Sequence, residues 1–315
     1  MTGYLLRRIG LMLVTLFGIS VIIFVLLRLV PGNMVDILFD SAGMVDPADK
    51  LRIAAELGLD RPIPVQYLAW ISGLLHGDLG YSYVSEKPTI AEILPRIPVT
   101  ARLALSAISF AVLLGVPFGV ISAVRQNTKV DYGLRVLSLA GLSIPAFWLG
   151  LMVLMAFVAV TGNLPVYTDA PATTLDAILL VVVPAATVGF RSSALIMRLT
   201  RSAMLEVLRQ DYVRTARAKG AGAGRVNFHH ALRNALLPVI TVIGLETAFL
   251  IGGLIVTETV FNIPGLARFL VESIRNRDYP IVQNLVMLTA FIVVSINLIV
   301  DLLYAALDPR IRLGE

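Results

Sequence analysis

Two carboxylates, Glu246 and Asp301, fall inside stretches of this 315-residue chain that otherwise avoid charge. A carboxylate placed in hydrocarbon marks a transport path, a proton relay or a paired structural group. Glu246 is open between lining a pore and pairing between helices. Asp301 lies close in sequence to Arg310 and Arg312 and reads as a paired group. No series of acids suited to a proton relay accompanies them. Three histidines, His76, His229 and His230, are too few for a histidine-rich metal site. With no cysteine, disulfides, thiolate catalysis and cysteine-ligated metals are excluded. No Gly-x-x-x-x-Gly-Lys-Ser/Thr stretch occurs, so the chain has no P-loop of its own to cradle ATP. Gly220-Ala221-Gly222-Ala223-Gly224 is glycine-rich, but it follows a basic helical pattern, whereas a nucleotide turn needs a preceding strand. Nothing here reads as a catalytic site, and the expectation is a protein that is not an enzyme.

The elements that position these residues are set by hydrophobicity. Hydrophobic residues make up 57% of the chain and charged residues 15%, against about 25% charged in ordinary soluble domains. Mean hydropathy is +0.84. That much apolar surface argues against a cytosolic enzyme, a free nucleic-acid binder or a disordered chain. The net charge of +5 fits basic loops at a membrane better than a nucleic-acid footprint. Six runs have the roughly 20 apolar residues a spanning helix needs: 9–30, 100–124, 134–160, 176–195, 236–257 and 281–307. The first is longer than the apolar core of a secretory signal and lacks a convincing cleavage site, so an uncleaved span is expected.

Lys and Arg in short loops set orientation. Arg7 and Arg8, then Arg125, Lys129 and Arg135, then the arginines and lysine between Arg198 and Arg233, then Arg310 and Arg312, all fall on one side. On the other side, the 161–175 loop has no basic residue and the 260–280 loop has three, Arg268, Arg275 and Arg277. Both termini are therefore expected in the cytoplasm. Two divisions follow: 1–99, a first span plus a long outer segment, and 100–315, a five-span core. Within the outer segment, Asp46, Pro47 and Gly58 predict a capped helix. Residues 64–77 predict a short amphipathic helix on the outer face, either a protective cap or a gate or docking surface. Pro117, Pro145 and Pro184 sit inside expected spans and favour kinks. With Glu246 they are the pore or gate candidates.

The segment 198–235 is too long and patterned for a simple connector. Leu205, Leu208, Tyr212 and Ala216 recur at helical spacing, and Arg209, Arg214 and Arg217 fall mainly elsewhere on the wheel. Gly220 reads as a C-terminal cap. A second helical pattern runs through His229, His230 and Leu232 toward the fifth span, with Pro238 near that span's start. Two short helices should protrude, joined by a glycine turn. A basic hairpin on anionic lipid and a knob fitting a groove on a partner are both open.

Asp211-Tyr212-Val213-Arg214-Thr215-Ala216-Arg217-Ala218-Lys219-Gly220, followed by His230-Ala231-Leu232-Arg233-Asn234-Ala235-Leu236-Leu237-Pro238, resembles the cytoplasmic coupling loop of ABC-importer permeases. It is most similar to the version in dipeptide and oligopeptide permeases. Leu57-Gly58-Leu59-Asp60-Arg61-Pro62, Gly77-Asp78-Leu79-Gly80, Glu258-Thr259-Val260-Phe261-Asn262-Ile263-Pro264-Gly265-Leu266 and Asp308-Pro309-Arg310-Ile311-Arg312 extend the resemblance over nearly the whole chain. Arg214, Thr215 and Ala216 stand where the general loop pattern has Glu-Ala-Ala, Asn33-Met34 where Asp-Pro is frequent, and Ala267 where glycine is common.

The resemblance implies an all-α, polytopic fold of six transmembrane helices, both termini cytoplasmic, in an ABC type I importer bundle. It implies one half of a pore for dipeptides or oligopeptides. Its partners would be a second, homologous permease, two ATP-binding subunits and an extracytoplasmic substrate-binding protein, with membrane lipid around it and no nucleic acid. ATP and Mg²⁺ would sit on the partner ATPases, leaving this chain without a cofactor or metal. Arg214, Thr215, Ala216, Lys219 and Gly220, with His230 and Leu232, would couple to the ATPase. Glutathione or a nickel complex are alternative cargoes, and an ion-driven carrier is the rival mechanism.

Overall fold

The computed structural model describes residues 2–29, 55, 58, 60–82, 84–162, 167–168 and 173–307. Asp46 and Pro47, the expected start of a capped helix, and the basic residues Arg310 and Arg312 lie outside them, whereas Gly58, its expected end, is described at φ +64° with its N–H donating to the Ala55 carbonyl. Apart from the two-residue strands β1 (Tyr81–Ser82) and β2 (Lys87–Pro88), paired antiparallel, the regular structure among these residues is helical. Five helices are long and apolar enough to cross a membrane, and a sixth crossing exists if one bent helix pair is a single span.

The helices are α1 (Thr2–Leu29), α2 (Ile63–Leu75), α3 (Thr89–Ile93), α4 (Ile97–Val124), α5 (Lys129–Ser143), α6 (Ala146–Thr161), α7 (Thr174–Val207), α8 (Asp211–Ala218), α9 (Arg233–Val260), α10 (Leu266–Arg275) and α11 (Tyr279–Leu307). A 3₁₀ turn (Leu94–Arg96) leads into α4, and a π-helix (Arg225–Leu232) leads into α9. The described residues divide into two compact units, one within 100–263 and 293–307, the other within 2–99 and 264–292.

The third apolar run is not one straight helix. It breaks at Ser143-Ile144-Pro145, and α5 and α6 meet at 106°. Proline disfavours helical backbone in the residue before it. Ile144 is accordingly extended, at φ −79° and ψ 124°, and Pro145 caps the start of α6. Of the three prolines expected to kink spans, only Pro117 and Pro184 lie inside a helix. The fourth run is also longer than hydropathy suggests, because α7 continues through Arg198 and Arg201 to Val207. A Thr173–Asp176 capping box starts it.

In the 100–263 unit, α4 packs closely on α7. Ala107 and Ala111 are fully buried, and a Cβ added at Gly115 would stand 2.8 Å from the Ser193 carbonyl. Small residues at i, i+4 and i+8 let two backbones approach, the usual device where hydrocarbon removes the hydrophobic drive between helices.

In the other unit, Ile93, Leu266, Ile281 and Leu285 form the core. Phe24 of α1 stacks on Trp70 of α2 at 5.8 Å between ring centroids and meets Tyr67 edge-on. The Tyr67 hydroxyl and Ser20 Oγ hydrogen-bond at 2.8 Å. α2 is the short apolar helix expected over 64–77, and none of its residues is buried. A cavity of about 570 Å³ with an almost wholly apolar lining lies among α1, α2 and α11.

Candidate functional site: the helical hairpin between the third and fourth long helices

α7 ends at Val207, and residues 208–210 turn the chain into α8. Gln210 is extended, and Asp211 places an acid in the first turn, where the helix dipole favours it. α8 ends as the glycine predicts. Gly220 adopts φ +80°, its N–H donates to the Arg217 carbonyl at 2.9 Å, and Ala221 N–H donates to the Ala216 carbonyl at 3.1 Å. This pair of bonds closes a helix at a left-handed residue, a conformation that costs glycine little.

The face of α8 that packs inward differs from expectation. Leu205 lies in α7 and Leu208 in the turn after it, so the apparent stripe with Tyr212 and Ala216 runs across the turn from one helix to the next. The side chain buried from α8 is Val213, with no solvent exposure, whereas Tyr212 is exposed. Tyr212 instead makes a polar tie: Asn234 Nδ2 donates to its hydroxyl at 2.7 Å and to the His230 carbonyl at 3.4 Å.

Arg214, Thr215, Lys219 and Gly220 are exposed, and Ala216 is half-buried. His230 and Leu232 are half-buried. Leu232 packs against a cluster of Val120, Ala123, Met204, Ala231 and Ala235, so it supports the hairpin from beneath. Phe228 is 65% exposed, a large apolar side chain on the π-helix that the sequence reading passed over. Local π geometry recurs at functional sites.

A second feature also went unread: Asp131, in the first turn of α5. Its side chain has no solvent exposure. Arg201 of α7 grips it with two bonds, Nε to Oδ1 at 2.8 Å and Nη2 to Oδ2 at 3.0 Å. Ser122 Oγ donates to Oδ1 at 2.6 Å and Asn127 N–H to Oδ2 at 3.0 Å. Arg135 lies 3.6 Å away. Its trace in the sequence is slight: a Thr128-x-x-Asp131 spacing, which starts a helix, set among basic residues.

Glu246 is 7% exposed and accepts a 2.6 Å bond from Ser192 Oγ of α7. Glu258 is fully buried and accepts from Thr100 Oγ1 at 2.7 Å. In the other unit, buried Asp278 accepts from Ser82 Oγ. Burial pushes the Asp278 carboxyl above the usual carboxylate range, outweighing the lowering by Ser82 and the Ile281 N–H.

A bundle of long apolar helices, with a short rigid hairpin projecting between two of them, defines a multi-pass membrane protein. Residues 115–313 match the family described as "Binding-protein-dependent transport system inner membrane component", and residues 1–104 its N-terminal counterpart. The chain belongs to this family. It is 41% identical, over 99% of both chains, to the di/tripeptide transport system permease protein DppB of Pseudomonas aeruginosa. It is 42% identical to the dipeptide permease DppB of Escherichia coli K12, again over 99% of both chains. It is 40% identical to the oligopeptide permease AppB of Bacillus subtilis, over 99% of this chain and all of that one. The chain is thus a permease component of an ABC transport system.

Proposed function

We propose that this chain is one of two pore-forming subunits of an ATP-driven importer of dipeptides or oligopeptides. It works with a second homologous permease, two ATP-binding subunits and an extracytoplasmic binding protein. The hairpin is the observation that carries the reading: a capped eight-residue helix whose buried anchor is Val213 and whose opposite face, with Arg214, Thr215 and Lys219, is free to enter a groove. Peptide cargo rests on the names of the relatives. The distribution of basic residues supports a cytoplasmic position for both termini and the hairpin. ATP and Mg²⁺ act on the partner ATPases, and this chain carries no cofactor. Closure of the ATPase pair pushes α8, and the helices above rotate to switch the pore between inward-open and outward-open. The break at Pro145 bends one span, and Pro117 and Pro184, inside α4 and α7, are with Glu246 the pore or gate candidates. Glu246 stands between α7 and α9, the two long helices that flank the hairpin.

The test is to purify the tagged chain from its membrane and weigh it by native mass spectrometry. A complex with a second permease and two ATPases, whose peptide uptake in vesicles vanadate blocks, is the expected result. A lone chain, or uptake indifferent to vanadate, overturns the proposal. Gly220→Pro addresses the hairpin directly. Proline fixes φ near −65° and removes the N–H bonded to Arg217. Peptide uptake should fall at least tenfold, and normal uptake would remove α8 from the coupling role.

A further inference from the structure

We infer that the Asp131–Arg201 pair is a positioning element of transport, a joint that makes the broken span α5–α6 follow α7 when α8 is displaced. The inference rests on the proposed coupling role of the hairpin. Two routes lead from α8 into the bundle, back along α7 and forward through the π-helix into α9. The cluster of Val120, Ala123, Met204, Ala231 and Ala235 already binds α4, α7, the π-helix and α9 to one another at that end. No residue of α5 belongs to it. Further along, α5 touches α7 through small contacts, Ser138 Oγ on the Ala194 carbonyl at 2.9 Å and Gly141 against Ala194. None of these contacts pairs a charge.

The carboxylate of Asp131 cannot slide. It has no solvent exposure, and its two oxygens take four hydrogen bonds at 2.6–3.0 Å from α4, the 125–128 turn and α7. A relative shift of α5 and α7 by even a fraction of an ångström would leave a buried charge short of donors, so the two helices hold together or part altogether. Arg201 lies only six residues, about 9 Å of helix, from the end of α7, where the hairpin begins. The joint is therefore placed where displacement enters the bundle. It hands that displacement to α5–α6, whose 106° bend gives it a second arm.

The decisive variant is Asp131→Asn/Arg201→Gln in the whole transporter, reconstituted with its binding protein. It removes both charges together, whereas either single change strands a buried partner and endangers folding. The expected result is an assembled complex of unchanged melting temperature in which peptide imported per ATP falls at least tenfold. An assembled complex with the wild-type ratio overturns the inference. If the variant does not assemble, spin labels on Lys129→Cys and Glu206→Cys decide. Both positions are exposed, and this chain has no cysteine of its own. With the partner subunits made cysteine-free, the distance between labels should be the same in nucleotide-free and vanadate-trapped complexes. A changed distance overturns the joint. The wild-type complex in the same vesicles separates the two levels. If it imports no peptide with ATP, the functional reading fails. If it imports peptide while the double variant matches it, only the joint fails.

Discussion

Two buried aspartates divide the molecule by the way each was taken out of water. Asp131 is held by a two-pronged arginine and two further donors, in surroundings where glycines and alanines bring backbones almost into contact. Asp278 has no cation within ion-pair distance among the described residues. It rests on Ser82 and the Ile281 N–H, in a unit of stacked aromatic rings with an apolar cavity of about 570 Å³. One region is fixed by charge and close approach, and its geometry has few alternatives. Around Asp278 the other is held by hydrogen bonds from uncharged donors and by apolar packing, with its ion pairs, such as Arg96–Glu92 and Arg268–Glu272, elsewhere in the unit. The first adjoins the hairpin that we propose receives force. The difference is the one expected between a part that must transmit displacement and a part that need only hold its place.

The comparison breaks most sharply if Arg201 alone is removed. Arg201→Met should cost about 3–5 kcal/mol, because Asp131 is left buried without its counter-charge. Thermal unfolding of the purified permease complex measures this. Ser82→Ala, which takes the side-chain donor from Asp278, should cost about 1–3 kcal/mol, the price of an unsatisfied buried acceptor. Equal losses for the two would show that the arginine adds nothing beyond a hydrogen bond.

Added volume sharpens the same contrast. Gly115→Leu drives a side chain into Ser193 and Ile196 and should destabilise by about 1–3 kcal/mol or prevent assembly. Leu288→Phe, at the wall of the apolar cavity, should shift stability by no more than about 1 kcal/mol, since the added carbons enter open space. Melting temperatures of the two variants, side by side, decide whether the regions differ in packing as described.

How much of this was legible in the sequence depends on range. Apolar length located the long helices, because a membrane requires it. The glycine at 220 and the basic pattern before it located the hairpin. The break at Ile144 was not legible, since hydropathy reads composition and not direction, and 134–160 is apolar throughout. The true length of α7 was hidden because Arg198 and Arg201 look like loop residues. One of them is in fact the partner of a carboxylate 70 positions earlier. Val213 was missed because a stripe that crosses a turn imitates a helix face. Short-range chemistry was readable, and contacts between distant segments were not.

The smallest effect tests the Asp278 side of the comparison through pH. The Asp278 carboxyl is raised in the folded protein, chiefly by burial. Between its ordinary value of about 3.9 and the raised one, the folded state holds the proton more tightly than the unfolded chain. The stability this contributes is fully present below the ordinary value and is lost as pH rises through the raised one. Asp278→Asn keeps the acceptor for Ser82 and cannot ionise. Its stability at low pH should stay within about 1 kcal/mol of the parent, as expected when a neutral hydrogen bond is retained. Its stability should then fall less on raising the pH, so that the two unfolding curves separate upward from the acid side. Curves that stay parallel across the range would mean that Asp278 is charged when folded. The contrast with Asp131 would then rest on packing alone.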